Sequence, residues 1–279
     1  MPQIKSISVK PYNSEWLKQF DYEAELIQSH LNTHVITIHH IGSTSVADLA
    51  AKEDIDICLV IDNLKNSLAL TNIGYIFKGE INLPLRYFFS KNTPFSKVNL
   101  HVVEADHHFL TLNLCFRDYL KTNDDARLAY QQLKTTLANN PYNFERIEGR
   151  FPRYTLEKHA FINTILDQAG YDSFGIARCT HYREWEAYYR IRNGQATAPT
   201  SIPWDPNHPS IKDPNHFHFV LLHGTIITAI AHVDYGEAHK AMLRALFVDT
   251  PFIGKGHDDY MLAFLKRWAA HHRHEIFKS

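Results

Sequence analysis

Cysteine is scarce. The chain has three, Cys58, Cys115 and Cys179, far apart and with no CxxC pair. That excludes a disulfide framework or a paired-cysteine zinc site and makes a reducing, cytoplasmic setting the expectation. Long apolar runs are missing too, and Met1-Pro2-Gln3-Ile4-Lys5 lacks the apolar core of a signal peptide, so no membrane partner is expected. Neither sign of charge dominates: 29 Lys and Arg against 30 Asp and Glu give a net charge of -1. Without a basic field, nucleic acid is not an expected partner.

What is there suits two ordinary domains: 279 residues, 44% hydrophobic and 21% charged. The 19 histidines are unusual, clustering at His39-His40, His107-His108, His216 and His218, and His271-His272 with His274. No pair stands in an HExxH frame, and surface or packing roles suit most of them.

Apolar spacing from Trp16 through Phe20, Ala24 and Ile27 to Leu31 predicts a helix with Ser14 as N-cap. Strands are predicted over 35–41, 55–61, 75–79, 86–90 and 99–104, with a short helix from Thr44 to Lys52 and a weaker one over 63–73. Three helical stretches follow, over 109–121, 124–138 and 154–169, Asp124 capping the second. This makes one domain, residues 1–169, with a linker at Gly170–Ser173. A second domain, 174–279, reads as a strand to Cys179, a helix to Arg192 and a proline-rich loop (Pro199, Pro203, Pro206, Pro209, Pro214). Strands over 216–223, 225–234 and 239–248, a helix over 258–270 and a short apolar run, Ile276-Phe277, complete it. The fold class expected is α/β (α+β).

The chemistry concentrates at Ile41-Gly42-Ser43-Thr44-Ser45 and, after Lys52-Glu53, at Asp54-Ile55-Asp56-Ile57. Strand side chains alternate, so Asp54 and Asp56 share a face, and a divalent cation is the usual reason to tolerate two neighbouring carboxylates. A Gly-Ser turn offers N–H groups and hydroxyls to a phosphate. Gly-Ser, ten residues, then Asp-Ile-Asp is similar to the nucleotidyltransferase superfamily pattern. With His40–Val46, Leu49–Lys52, Arg86–Phe89, His101–Glu104, Phe116–Leu120, Tyr130, Lys134, Tyr154 and Lys158, the chain from about residue 8 to 169 closely resembles the GrpB family, which is nucleotidyltransferase-like.

The resemblance implies a mixed sheet with a helical block, and a site for Mg²⁺ and a nucleoside triphosphate acting on a small-molecule substrate. Asp54, Asp56 and Glu104 are the candidate metal ligands. Asp56, Asp54 and His101 are the candidate catalytic groups. Gly42, Ser43, Thr44, Ser45, Lys52, Arg86 and Arg117 would hold nucleotide phosphates or an acidic acceptor. Three departures stand out. The family usually has Pro-Gly where this chain has Ala47-Asp48, and an apolar residue where Asp54 stands. The next same-face position after Asp56 is Cys58, a poor Mg²⁺ ligand. For the third carboxylate the strand from Asn99 offers Asn99, His101 and Val103 on one face and Glu104 on the other or at its end.

Residues 174–279 resemble the GNAT acetyltransferases, mostly antiparallel sheets with helices. The carriers are three successive strands, then Phe247-Val248 and Ile253-Gly254-Lys255-Gly256-His257 before an amphipathic helix. The resemblance implies acetyl-CoA, with Phe247 and Val248 along the pantetheine arm and Gly254, Lys255, Gly256 and His257 at the pyrophosphate. Asp258 stands where the family has a small residue and would repel it. Glu237, His232 and His239 are candidate bases. The family's last helix and two strands are expected to be missing, and a homodimer could cover the bare sheet edge. Two functions follow: a transferase joining nucleotidyltransferase-like and N-acetyltransferase domains, or a non-catalytic protein keeping them as nucleotide-binding, CoA-binding or dimerisation modules.

Overall fold

The structure, a computed structural model, describes residues 7–147, 151–194, 205, 207–236 and 240–278, and divides into two compact units. Both are mixed α/β, each with an open five-stranded sheet. No helix among the described residues is long and apolar enough to cross a membrane.

The first unit is 1–81 with 86–171. Helix α1 (Glu15–Leu31) precedes β1 (Val35–Ile41), β2 (Asp54–Ile61), β3 (Ile76–Phe77), β4 (Arg86–Asn92) and β5 (Lys97–Glu104). They form one sheet in the order β1-β2-β5-β4-β3, parallel only between β2 and β5. The α1 cap falls to Asn13, whose Oδ1 accepts from the Glu15 N–H at 3.0 Å; Ser14 makes no side-chain cap bond. Ile55, Ile57, Leu59 and Ile61 alternate on one face of β2 and are fully buried, each contributing about 1.5–3 kcal/mol. On the other face Ile41, Cys58, Val60 and Val103 pack under α2 (His108–Thr122) through Phe109, Leu110 and Leu114.

The helix predicted from Thr44 to Lys52 does not form. Only one 3-10 turn, Ser43–Ser45, is present. The Thr44 hydroxyl donates to the Asp54 carbonyl at 3.1 Å and the Ser45 hydroxyl to the Gly42 carbonyl at 2.6 Å. Such local bonds compete with a helix, and Asp48 at φ 61° ends any helical run. Asp48 thus takes a left-handed conformation that favours glycine. The extended segment is held by the helical block. Val46 and Leu49 pack with Leu120 and Tyr130 from α2 and α3 (Asp124–Ala138). In α3 the N-cap is Asn123; Asp124 lies in the first turn and pairs with Arg127 at 2.9 Å. A two-stranded hairpin, β6 (Arg146–Ile147) and β7 (Phe151–Pro152), leads to α4 (Arg153–Glu157) and α5 (His159–Gln168).

The second unit is 172–279 plus the four residues Asn82–Leu85. Ile81 and Leu85, both at φ 59°, bracket that segment. Within the unit, Leu83 packs on the core of Ala177, Tyr188, Val220 and Ile230, and the Asn82 carbonyl accepts from the Arg178 N–H at 2.9 Å. The elements are β8 (Phe174–Arg178), α6 (Tyr182–Gly194), β9 (His216–His223), β10 (Ile226–Tyr235), β11 (Lys240–Val248), α7 (His257–His271) and β12 (Glu275–Lys278). Sheet order is β12-β11-β10-β9-β8. One sheet face carries α6; on the other, Trp268 of α7 stacks edge-on against Phe217 and Phe219.

One expectation changes here. Ile276-Phe277 lies in a strand, β12, which pairs in parallel with Lys240–Leu243 of β11, so that part of the edge is covered. The proline-rich loop positions Pro199, Pro203 and Pro206 lie outside the described residues, as do Glu237 and His239.

Candidate functional site

Gly42 closes β1 with φ 70° and ψ -174°, a combination confined to glycine. It also leaves room for a carboxylate: a Cβ here would stand 2.4 Å from Asp56 Oδ2. The parallel register sets Asn99 of β5 directly beside Asp56, and Asn99 Nδ2 donates to Asp56 Oδ1 at 2.9 Å. Burial pushes the Asp56 carboxyl up to about 6, against the pull of Asn99 and with a further push from Asp54. Asp54 shares the face, and its carboxylate sits 3.2 Å from the Lys52 ammonium.

Opposite stand two tyrosine–lysine pairs, each four residues apart. On α3, Lys134 lies over the Tyr130 ring at 4.7 Å; at the end of α4, Lys158 lies over the Tyr154 ring at 4.6 Å. The Tyr130 hydroxyl reaches the Ser43 side chain. The Lys134 ammonium donates to the Ala50 carbonyl. Burial brings Lys134 down to about 7 and Lys158 down to about 8, the latter partly restored by Asp56. The cleft thus gathers Gly42, Ser43, Lys52, Asp54, Asp56, Asn99 and the two tyrosine–lysine pairs.

Several candidates are placed elsewhere. Thr44 is buried and bonded to His40 and to the Asp54 carbonyl, and Ser45 to the Gly42 carbonyl, so Ser43 is the hydroxyl of the turn that faces the cleft pair. Glu104 lies five residues along β5 from Asn99, about 17 Å at strand rise, and its carboxylate accepts from the Leu64 N–H at 3.1 Å. It is no partner for Asp56. Arg86 is buried beside Phe88 and Phe109 and donates to His101 Nδ1 at 2.7 Å. His101 is in register with Cys58, two residues beyond Asp56, and burial with the Arg86 charge holds it well below the usual imidazole range. These two share the Asp56 face but lie further along it. Arg117 pairs with Asp118 at 2.7 Å and donates to the His40 carbonyl at 3.0 Å, bracing the end of β1.

The oxygens that could face a Mg²⁺ ion here are the carboxylates of Asp54 and Asp56 and the Asn99 Oδ1, which is buried with no hydrogen-bond partner among the described residues. Asp54 pairs with Lys52, and Asp56 Oδ1 accepts from Asn99 Nδ2. No group of three His, Cys, Asp or Glu suited to a metal exists among the described residues.

In the second unit Arg244 is a bulge residue: Leu243 pairs with Val233 and Ala245 with His232. Past Leu243, β12 no longer accompanies β11. Phe247 and Val248 therefore lie on a strand paired on its β10 side only, among the described residues. A cleft of about 410 Å³ between β11 and α7 is lined by Leu243–Phe247, Asp258, Asp259 and Leu262. Gly254 and Gly256 have φ of 75° and 79°, with open space where side chains would be. Asp258 and Asp259, in the first turn of α7, are exposed and would oppose an anion at this end of the helix. The His257 side chain turns inward. It is buried, its Nδ1 is 2.8 Å from Thr228 Oγ1, and its ring packs on Phe174 and Phe252. Lys255 is exposed. His232 faces the α6 side, 2.8 Å from His216, and burial pushes it down to about 3.

Sequence reasoning singled out Tyr130, Lys134, Tyr154 and Lys158 only through resemblance. The repeated Tyr-x-x-x-Lys spacing was the available signal, since such pairs meet on a helix.

A mixed sheet whose glycine turn is pressed against a carboxylate on the next strand, flanked by helices carrying lysines, defines the first unit as a mixed α/β domain. Residues 6–168 match the GrpB protein family, and the chain belongs to it. A glutamate-rich protein GrpB of Alkalihalophilus pseudofirmus is 30% identical over 56% of this chain and 92% of its own length. The crystal structure of conserved protein GrpB from Enterococcus faecalis superposes with a TM-score of 0.51 at 31% identity, over 58% of this chain and 96% of that one. An aminoglycoside acetyltransferase from a soil metagenomic sample is weakly similar, with a TM-score of 0.33 at 17% identity over 38% of this chain and 76% of that one.

Proposed function

We propose that this chain is a transferase whose first unit binds the phosphate end of a nucleoside triphosphate and acts on a small molecule. The observation that carries this is the apposition of the Gly42-Ser43 turn, Asp56 and the lysines Lys52 and Lys158 in one cleft. The N–H groups and hydroxyl of the turn suit phosphate oxygens, and the ammonium groups offset charge that develops on transfer. Asp56, with a carboxyl near 6, is ionised at neutral pH and suited to take the proton of an acceptor hydroxyl. In the second unit, acetyl-CoA is the proposed cofactor. The β11 edge past Arg244 and the turn Gly254–Gly256 support it, and would hold the pantetheine arm and the pyrophosphate through backbone groups.

Isothermal titration of the full chain with ATP and, separately, with acetyl-CoA tests both halves. Saturable heat with each supports the reading, and no heat with a ligand removes the corresponding half. A second reading, a binding module without turnover, is favoured by Asn99 standing beside Asp56 where a further carboxylate would be needed. Detection of a nucleotidylated or acetylated product would discard it.

A further inference from the structure

A cavity of about 800 Å³ opens on the face of the first sheet that turns away from Asp56. Val98 lines it and stands in register with Ile55, whose side of β2 is opposite to that of Asp54 and Asp56. One wall is α1; the other is the turn from Thr93 to Ser96 between β4 and β5. The charges around it are matched. Glu15 pairs with Lys18 at 2.6 Å, Glu53 with Lys10 at 2.6 Å and Glu23 with Lys91 at 3.0 Å. The cavity therefore selects for neither sign.

What it offers is unmet acceptors and aromatic surface. Gln19 and Glu23 are one turn apart on α1 and share a face. Gln19 Oε1 is buried with no hydrogen-bond partner among the described residues. Glu23 is 2% exposed, and both of its side-chain bonds, from the Tyr75 hydroxyl at 2.8 Å and the Lys91 ammonium at 3.0 Å, fall on Oε2. That leaves Oε1 to accept. A buried acceptor without a donor is costly, and a ligand N–H removes the cost. Two large rings line the same cavity and stand open to solvent, Tyr22 at 66% and Phe95 at 77%. The turn that carries Phe95 is fixed: Thr93 Oγ1 accepts from the Phe95 and Ser96 N–H groups and donates to the Ser96 carbonyl. A wholly apolar ligand would cover the rings and leave Gln19 unmet. A flat ring that carries an N–H answers both.

We infer that this cavity binds an uncharged planar nitrogen heteroaromatic, its N–H directed to Gln19 Oε1 and its faces set against Phe95 and Tyr22. The site is independent of the phosphate and acetyl-CoA readings.

Ligand-observed NMR titration of the full chain with indole and with benzofuran, which has the same shape with oxygen in place of the N–H, tests it. Saturable binding of indole, about threefold to tenfold tighter than benzofuran, is expected from one hydrogen bond. Equal affinities, the reverse preference, or no saturable binding of indole overturns the inference. Gln19→Leu is expected to abolish the preference without lowering the unfolding temperature, because the amide oxygen it removes is already unmatched. A preference that survives this substitution, or a lowered unfolding temperature, contradicts the assigned role of Gln19. Phe95→Ala is expected to weaken both ligands about threefold or more, with the fold intact by circular dichroism; unchanged affinities would remove Phe95 from the site and overturn the stacking geometry.

Discussion

Replacing Gly42 by alanine separates two costs that the structure superimposes. The first is backbone strain: φ 70° with ψ -174° is essentially closed to residues with a Cβ, at about 1–3 kcal/mol. The second is steric. The new methyl would stand 2.4 Å from Asp56 Oδ2 and 3.0 Å from its Cβ and Cγ. Asp56 must then swing away and give up its 2.9 Å bond from Asn99, a charge-assisted bond whose loss costs about 1.5–3 kcal/mol. Together Gly42→Ala should destabilise the first unit by about 3–5 kcal/mol. Hydrogen exchange of β2 amides, followed by mass spectrometry, reads this as opening faster by a hundredfold or more, roughly, if β2 exchanges by unfolding of that unit. In an Asp56→Ala background the carboxylate is gone, and the same substitution should cost only the backbone share, about 1–3 kcal/mol. An equal cost in both backgrounds would refute the steric coupling of Gly42 to Asp56, and a cost under about 0.5 kcal/mol in either would refute the strain argument as well.

The remaining predictions concern charge and burial. Asp56 has a folded pKa of about 6, above its ordinary 3.8, so the folded state holds the proton more tightly and stability falls as pH rises from about 4 to 6. Asp56→Asn should flatten that fall, by an order of 2–3 kcal/mol between the ends of the range, in urea midpoints measured across it. Lys134 has its folded pKa lowered from 10.5 to about 7, so the unit should gain stability as pH rises from 7 towards 10, and Lys134→Met should lose that dependence. His257→Ala should destabilise the second unit by about 1–3 kcal/mol, because it removes a buried ring packed on Phe174 and Phe252 and leaves Thr228 Oγ1 only its 3.4 Å bond to the Leu221 carbonyl, whereas Lys255→Ala at the exposed turn should leave thermal unfolding unchanged. Arg244→Ala should cost no more than about 1 kcal/mol although its guanidinium grips Asp234 at 3.0 Å, since Arg244 is nearly half exposed.

The strands were legible because β-branched runs leave little choice: 35–41 and 216–223 agree with the observed bounds, and β2 begins one residue earlier than its apolar run. The pairing of Gly42 with Asp56 was legible as well, from turn chemistry and alternation. Depth along a strand was not. Alternation places Asn99 and His101 on one face, but only register shows Asn99 beside Asp56 and His101 beside Cys58 under α2. The same gap made Glu104 a candidate ligand, although it caps a turn at the far end of β5. Thr44–Lys52 reads as helical by composition because hydroxyl bonds to the backbone and the left-handed Asp48 are invisible to periodicity. The parallel partner of β11 was hidden for another reason: Ile276-Phe277 is too short a run to declare a strand until a sheet edge receives it.

The segment Asn82–Leu85 has a consequence for how the chain comes to be folded. It is made early, inside the stretch that builds the first sheet, yet the strand that receives it, β8, leaves the ribosome only after all of α2, α3, α4 and α5. Vectorial folding would complete the first sheet while these four residues still await Arg178, Ala177 and the rest of their core. A gene fragment beginning at residue 172 would for the same reason encode a sheet with its Leu83 plug left out, and should yield a less stable product than one supplied with that peptide in trans.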